Sequence, residues 1–195
     1  KKYVDSTYGI DSIVFANGIE RPIKVGLNEM KKFGLEDDNY ILYLGRIVPE
    51  KGIHYLIKAF QNVVTNKKLV IAGGATNFEY LEYLKLMSAE DDRVIFTGHM
   101  KGIQVQELYS NPYMFVLPSD LEGMANALLE AMSYGNCCLI SDIPENTQVV
   151  GEYAWSFKRG NENDLQDKLQ YLIDNENEVN KIREATANHV LTKYS

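Results

Sequence analysis

The sequence predicts an α/β fold, a parallel sheet covered by helices on both faces, and three observations lead there. Apolar runs of strand length recur along the chain and alternate with stretches of about ten residues whose apolar side chains fall at helical spacing. Glycine-bearing loops follow several of those runs, as expected where ligands bind at the carboxyl ends of parallel strands. Length and composition suit one ordinary globular domain: 195 residues, 45% hydrophobic and 24% charged.

Charge narrows the partners. The chain carries 27 acidic against 20 basic residues, a net charge of −7, which argues against a nucleic-acid or anionic-membrane surface. No run reaches transmembrane length and the first residues do not read as a signal peptide. The two cysteines, Cys137 and Cys138, are adjacent in an apolar run. They read as buried reduced thiols, and a cytoplasmic location fits them.

Taken in order, residues 1–8 read as the tail of a helix or a linker. Ile13, Val14 and Phe15 form a short strand ending in an Asn17-Gly18 turn. Residues 31–39 are a polar connector, and 40–44 an apolar strand. The helix after it carries Ile53, Leu56, Ile57, Phe60 and Val64 on one face. Residues 69–72 form the next strand, closed by Gly73-Gly74. A helix over 77–88 turns Leu81, Leu84 and Met87 inward, and the charge run Glu90-Asp91-Asp92 is solvated. Residues 93–100 are a strand and its exit, 103–109 a short helix, 114–117 a strand and 137–141 another. Tyr153 to Phe157 make an edge strand whose aromatics join the core. Residues 165–174 and 178–190 are closing helices. His54 and His189 have no neighbours that suggest a metal or a base and read as structural.

Two loops carry the chemistry. After the strand at 114–117 come a Pro118-Ser119-Asp120 turn, Glu122 beside Gly123, and a helix bearing Glu130. The free amides and positive dipole end of that helix suit an anion, whereas a carboxylate accepts hydrogen bonds from hydroxyls, so the ligand should be both anionic and rich in hydroxyls. Eight residues of helix span roughly 12 Å. That exceeds the roughly 5–9.5 Å between paired glycosidase carboxylates, so the two acids would hold opposite ends of one extended ligand. Spacing alone equally allows a capping Glu122 and a solvated Glu130. The second loop, G-R-x-x-x-E-K-G over 45–52, presents Arg46 as a planar fork for phosphate oxygens and Lys51 as a mobile point charge. Standing alone it would read as an ordinary basic loop.

The stretch P-S-D-L-E-G-M-A-N-A-L-L-E-A-M-S-Y-G closely resembles the signature of the group 1 (family four) retaining glycosyltransferases of GT-B fold. The basic loop, a Gly pair after a strand, and the V-x-F-x-G pattern at 94–98 fit the same family. The resemblance implies a Rossmann-like domain, the C-terminal half of a GT-B fold. On that reading residues 1–195 form a single nucleotide-sugar-binding domain, and the N-terminal acceptor domain of the same parent chain is absent. It also implies the roles. Arg46 and Lys51 grip the donor diphosphate, Glu122 contacts the sugar hydroxyls and Glu130 the ribose. The amides of Gly123, Met124, Ala125, Asn126 and Ala127 meet the sugar and diphosphate. Gly45 and Gly73 lie beside the nucleotide, with His99 and Met100 near the base, although His99 reads equally well as a surface histidine. The segment 142–146 would shape the far rim.

The function that follows is retaining transfer of a hexosyl group from a nucleotide-diphosphate sugar, UDP-sugars being the commonest family donors, to a saccharide or lipid-linked acceptor. No metal or other cofactor is required if the cations offset the charge on the leaving phosphate. Any peripheral membrane association would run through the missing domain. Arrayed against this, a sugar-nucleotide 2-epimerase lacks its usual residues here, and the G-x-G-x-x-G fingerprint of a dehydrogenase is absent. A non-catalytic sugar-nucleotide-binding or regulatory module remains the alternative.

Overall fold

The computed structural model describes residues 2–11, 18–123 and 125–194. Among them, six strands form one sheet: β1 (Tyr40–Leu44), β2 (Lys68–Ala72), β3 (Val94–Gly98), β4 (Met114–Leu117), β5 (Cys138–Ser141) and β6 (Trp155–Phe157). The order is β3-β2-β1-β4-β5-β6 and every pairing is parallel. The helices are α1 (Lys2–Tyr8), α2 (Ile53–Gln61), α3 (Phe78–Met87), α4 (Ile103–Ser110), α5 (Asn126–Ser133), α6 (Pro144–Val150), α7 (Glu162–Asp174) and α8 (Glu176–Tyr194). The strand expected at 13–15, and Asn17 of its turn, lie outside the described residues.

Consecutive residues of β1, β4 and β5 are buried. Successive side chains of a strand point to opposite faces, so both faces of the sheet are covered. One set of helices packs α2 against α3 and α7, while α5 packs against α8. Tyr109 of α4 stacks on Tyr134 just beyond α5. Large side chains with a polar tip find backbone partners inside: Tyr40 Oη donates to Leu108 O (2.8 Å) and Tyr113 Oη to Leu172 O (2.7 Å). Burial pushes the Cys137 thiol up to about 12 and raises the Cys138 thiol well above its usual value, so neither is a thiolate near neutrality.

The structure corrects several expectations. Helix α2 ends at Gln61 with Asn62 as its cap. Val63 takes the inward place, and Val64 is 81% exposed because its amide turns out to Gln170 Oε1. The polar connector expected at 31–39 begins within a 3-10 turn, Glu29–Phe33, that buries Met30. Asp91 is not a solvated member of a charge run. Its two carboxylate oxygens accept from Arg93 Nε (2.9 Å) and Nη2 (2.7 Å), while Nη1 donates to Val63 O and Thr65 O. This bidentate pair ties the chain leaving α2 to the chain entering β3, and it holds the Asp91 carboxyl below its usual range. The segment 142–146, expected only as a rim, runs into α6 (Pro144–Val150), with Pro144 in its first turn. Asn77 and Asn161, each accepting from the amide three residues on, start α3 and α7.

Glu107, only 2% exposed, is a charged residue that the sequence does not mark. Its carboxylate accepts from the amides of Asn28 (2.8 Å), Glu29 (3.2 Å) and Met30 (3.0 Å) and so caps the 3-10 turn from α4. Burial opposes its ionisation, but the three amide donors outweigh that and hold its pKa below the ordinary 4.5. A carboxyl depressed in the folded state stabilises the fold above its unfolded pKa and loses that contribution as the pH falls through the folded value. Glu107→Gln should therefore destabilise the domain by about 1.5–3 kcal/mol near neutral pH. In urea unfolding, its deficit against the parent sequence should narrow as the pH is lowered below 4.5. A deficit independent of pH would contradict the assignment.

Candidate functional site

Chain order reverses between β1 and β4, which are neighbours in the sheet although their connections run to opposite sides. Beyond their carboxyl ends such a reversal leaves a crevice. The loop 45–52 leaves β1 into it and the loop 118–125 leaves β4. Backbone hydrogen bonds extend the sheet into these loops: Gly45 N to Ala72 O, Ile47 N to Gly74 O and Gly73 N to Gly98 O. Asp120 N donates to Glu50 O (2.9 Å), joining the two loops directly.

Gly52 allows this closeness, and Gly73 allows the loop after β2 to approach the loop after β1. A Cβ on Gly52, whose φ is +65°, would lie 2.1 Å from Pro118 O. One on Gly73, at φ +151°, would lie 1.8 Å from Gly45 O. Neither position tolerates a side chain on steric grounds, and both backbones are of the kind that glycine adopts most readily.

Arg46, Lys51 and Glu122 line one hollow of about 660 Å³, together with Gly45, Gly123, Ala125, Asn126 and Ala127. Lys51 Nζ lies 2.7 Å from Glu122 Oε1, the two side chains being 13% and 7% exposed. The same oxygen accepts from Ser119 Oγ at 2.7 Å. Arg46 points outward and, among the described residues, forms no ion pair and no side-chain hydrogen bond. Its carbonyl is held from below by Tyr43 Oη (2.7 Å), a phenol that burial keeps protonated. Helix α5 opens at Ala125, whose side chain offers no capping acceptor. The positive end of the helix therefore faces the hollow. Met124 lies outside the described residues.

Gly73, His99 and Met100 line an adjoining hollow of about 370 Å³, which shares Leu44, Gly45 and Arg46 with the first. The structure thus brings Arg46, Lys51 and Glu122 together and sets His99 and Met100 next to them. Glu130 stands apart. It does not line the main hollow but a shallow one reached past Asn126, and another beside Tyr109 and Tyr134. Burial raises its carboxyl above the usual range, partly offset by the Tyr109 hydroxyl. Because α5 begins only at Asn126, Glu122 sits on the loop and not on the helix. A hollow of about 610 Å³ opens elsewhere around Lys24, Asp38 and Arg183. There Arg183 is already committed to Asp38, Pro112 O and Tyr113 O, leaving little to recognise a ligand.

Sequence reasoning missed Ser119 as a partner of Glu122 and Gly52 as the point of loop contact. Gly52 leaves a trace, since a Gly closing a strand-to-helix loop marks a left-handed turn. Ser119 leaves none, because its role depends on how the turn folds back. Among the described residues no three His, Cys, Asp or Glu side chains converge as metal ligands, and no helix is long and apolar enough to cross a membrane. Gly52→Ala should cost at least about 1–3 kcal/mol from the backbone alone, read as a fall in unfolding midpoint, and should part the loops in a crystal structure. An unchanged midpoint would contradict the contact.

Residues 27–189 match the family model described as glycosyl transferases group 1. An uncharacterised glycosyltransferase of Methanocaldococcus jannaschii is 35% identical over 127 residues, 64% of this chain and 33% of that protein. The capsular polysaccharide biosynthesis glycosyltransferase CapM of Staphylococcus aureus is 29% identical over 157 residues, 76% of this chain and 40% of that protein. Among solved structures, Anabaena HepE in complex with UDP and glucose superposes with a TM-score of 0.79 at 17% identity, over 85% of this chain and 47% of that one. The chain thus spans a third to two fifths of the length of these two curated relatives. The fold is Rossmann-like, and the chain belongs to the group 1 glycosyltransferases.

Proposed function

We propose that the chain is the donor-binding, C-terminal domain of a two-domain retaining hexosyltransferase of GT-B fold, which takes a nucleotide-diphosphate sugar and delivers the sugar to a saccharide or lipid-linked acceptor. One observation carries this reading: two cations and a carboxylate from separate loops line one hollow at the sheet reversal, beside the start of a helix. The UDP and glucose in HepE and the polysaccharide pathway of CapM support a UDP-sugar donor and a saccharide acceptor.

In this mechanism Arg46 and Lys51 hold the diphosphate, with the amides at the start of α5 meeting the same oxygens. Glu122 accepts from the sugar hydroxyls and Glu130, past Asn126, from the ribose. The bond from the anomeric carbon to the phosphate oxygen breaks with its electron pair leaving on the phosphate. Charge therefore grows where the cations already stand, which favours the transition state over bound donor. The acceptor hydroxyl passes its proton to the departing phosphate oxygen and bonds the anomeric carbon from the face the phosphate leaves, and configuration is retained. The acceptor and any membrane contact belong to the N-terminal domain. With two cations at the diphosphate, the reaction as proposed proceeds without a metal.

The Lys51–Glu122 contact adds a consequence. Each group is the other's partner, so the diphosphate must draw Lys51 away from a carboxylate, which leaves that carboxylate open to hydroxyls. Arg46→Ala or Lys51→Ala in the full-length parent should lower kcat/KM for sugar transfer by about 10²–10³. Glu122→Gln should abolish most transfer yet tighten the binding of UDP alone several-fold by calorimetry, because Lys51 loses its competing anion. Unchanged turnover in the cation variants would overturn their roles. Donor binding without transfer by the full-length parent would favour a non-catalytic module.

A further inference from the structure

Behind Glu122 runs a chain of buried polar side chains that the roles above do not use. Ser119, at the exit of β4, donates through Oγ to Glu122 Oε1 at 2.7 Å. The carbonyl of Ser119 accepts from Ser141 Oγ, at the end of β5, at 2.5 Å. Ser141 Oγ in turn accepts from Asn146 Nδ2, on α6, at 3.2 Å, and the same amide lies 3.4 Å from Ser141 O. All three residues are 0% exposed, and Asn146 Oδ1 has no hydrogen-bond partner among the described residues. A buried polar group costs stability unless it is bonded. An apolar residue at any of the three positions would avoid that cost, so three of them in series call for an explanation.

We infer that Asn146, Ser141 and Ser119 are positioning residues that fix the Glu122 carboxylate for the donor sugar, and this rests on the sugar-holding role proposed for Glu122. The geometry explains why three are needed. Ser119 can aim its hydroxyl at Glu122 only while its own backbone is held, and Ser141 holds it through the carbonyl. Ser141 donates its single proton to that carbonyl, so its lone pairs must be met by another donor, and Asn146 supplies it. The series links β4, β5 and α6 to one oxygen, the same oxygen that Lys51 approaches. When the diphosphate engages Lys51, the Ser119 hydrogen bond is the contact that remains to keep Glu122 in place.

The test compares Ser119→Ala, Ser141→Ala, Ser141→Thr and Asn146→Ala with the parent sequence. In the full-length parent, Ser119→Ala should lower kcat for sugar transfer about tenfold, the equivalent of about 1.4 kcal/mol, with UDP affinity by calorimetry unchanged. Ser141→Ala and Asn146→Ala should fall in the same direction by less, and Ser141→Thr, which keeps the hydroxyl, should restore most of the loss. A purely structural role would lower the unfolding midpoint and leave kcat intact, and equal losses of UDP and UDP-glucose affinity would also overturn the inference. A readout independent of activity is the ¹³C chemical shift of the Glu122 carboxyl in this 195-residue chain. It should move in Ser119→Ala and Ser141→Ala even if no sugar nucleotide binds, in which case the proposed function fails while the positioning stands. An unmoved signal would refute the positioning itself.

Discussion

The site depends on the near-contact of two loops across the sheet reversal. Gly52 lies against Pro118 O at a distance no Cβ allows, and Asp120 N closes the gap to Glu50 O. Those contacts set the distance between a loop carrying cations and a loop carrying an acid. Side chains as long as Arg and Lys reach many positions, but the main chain beneath them has few. Fixing the backbone therefore does most of the work of pre-arranging the charges.

Electrostatics supplies the next layer. Lys51 and Glu122 are both largely buried, where a lone charge is expensive and a paired one tolerable. Each offers the other a partner of opposite charge at 2.7 Å within the crevice. Arg46, exposed and without a partner among the described residues, is the charge most readily available to an incoming anion. Asymmetry between a committed and an uncommitted cation fits an order of events in which the anion meets Arg46 first and recruits Lys51 second.

Much of this was legible in the chain. Strands β1 and β4 fall where the apolar runs place them, and the alternation of runs with helical stretches gives the parallel, doubly covered sheet. Arg46, Lys51 and Glu122 stand out because each is a charged residue beside a glycine or proline turn after a strand. What escaped was set by tertiary contact. Val64 continues the apolar spacing of α2, yet Asn62 ends the helix and Val63 takes its place inside. Asp91 looks like one more surface acid until Arg93 folds back on it. Glu107 carries no local signal because its partners lie 77–79 residues away. Ser119 and Asn146, with partners 3 and 5 residues away, carry none because the way the chain folds back on those partners is set by tertiary contact. The helix spacing of Glu122 and Glu130 misled in one respect: α5 starts after Glu122, so the two acids are separated by a bend as well as by a helix turn.

A crystal structure of the chain with UDP-glucose tests the central claim most directly. The account predicts the diphosphate in the hollow between β1 and β4, within hydrogen-bonding distance of both Arg46 and Lys51, with the glucose on Glu122 and the ribose toward Glu130. A nucleotide seated around Arg183 at the other hollow, or a Lys51 still bound to Glu122 with no phosphate contact, would contradict it.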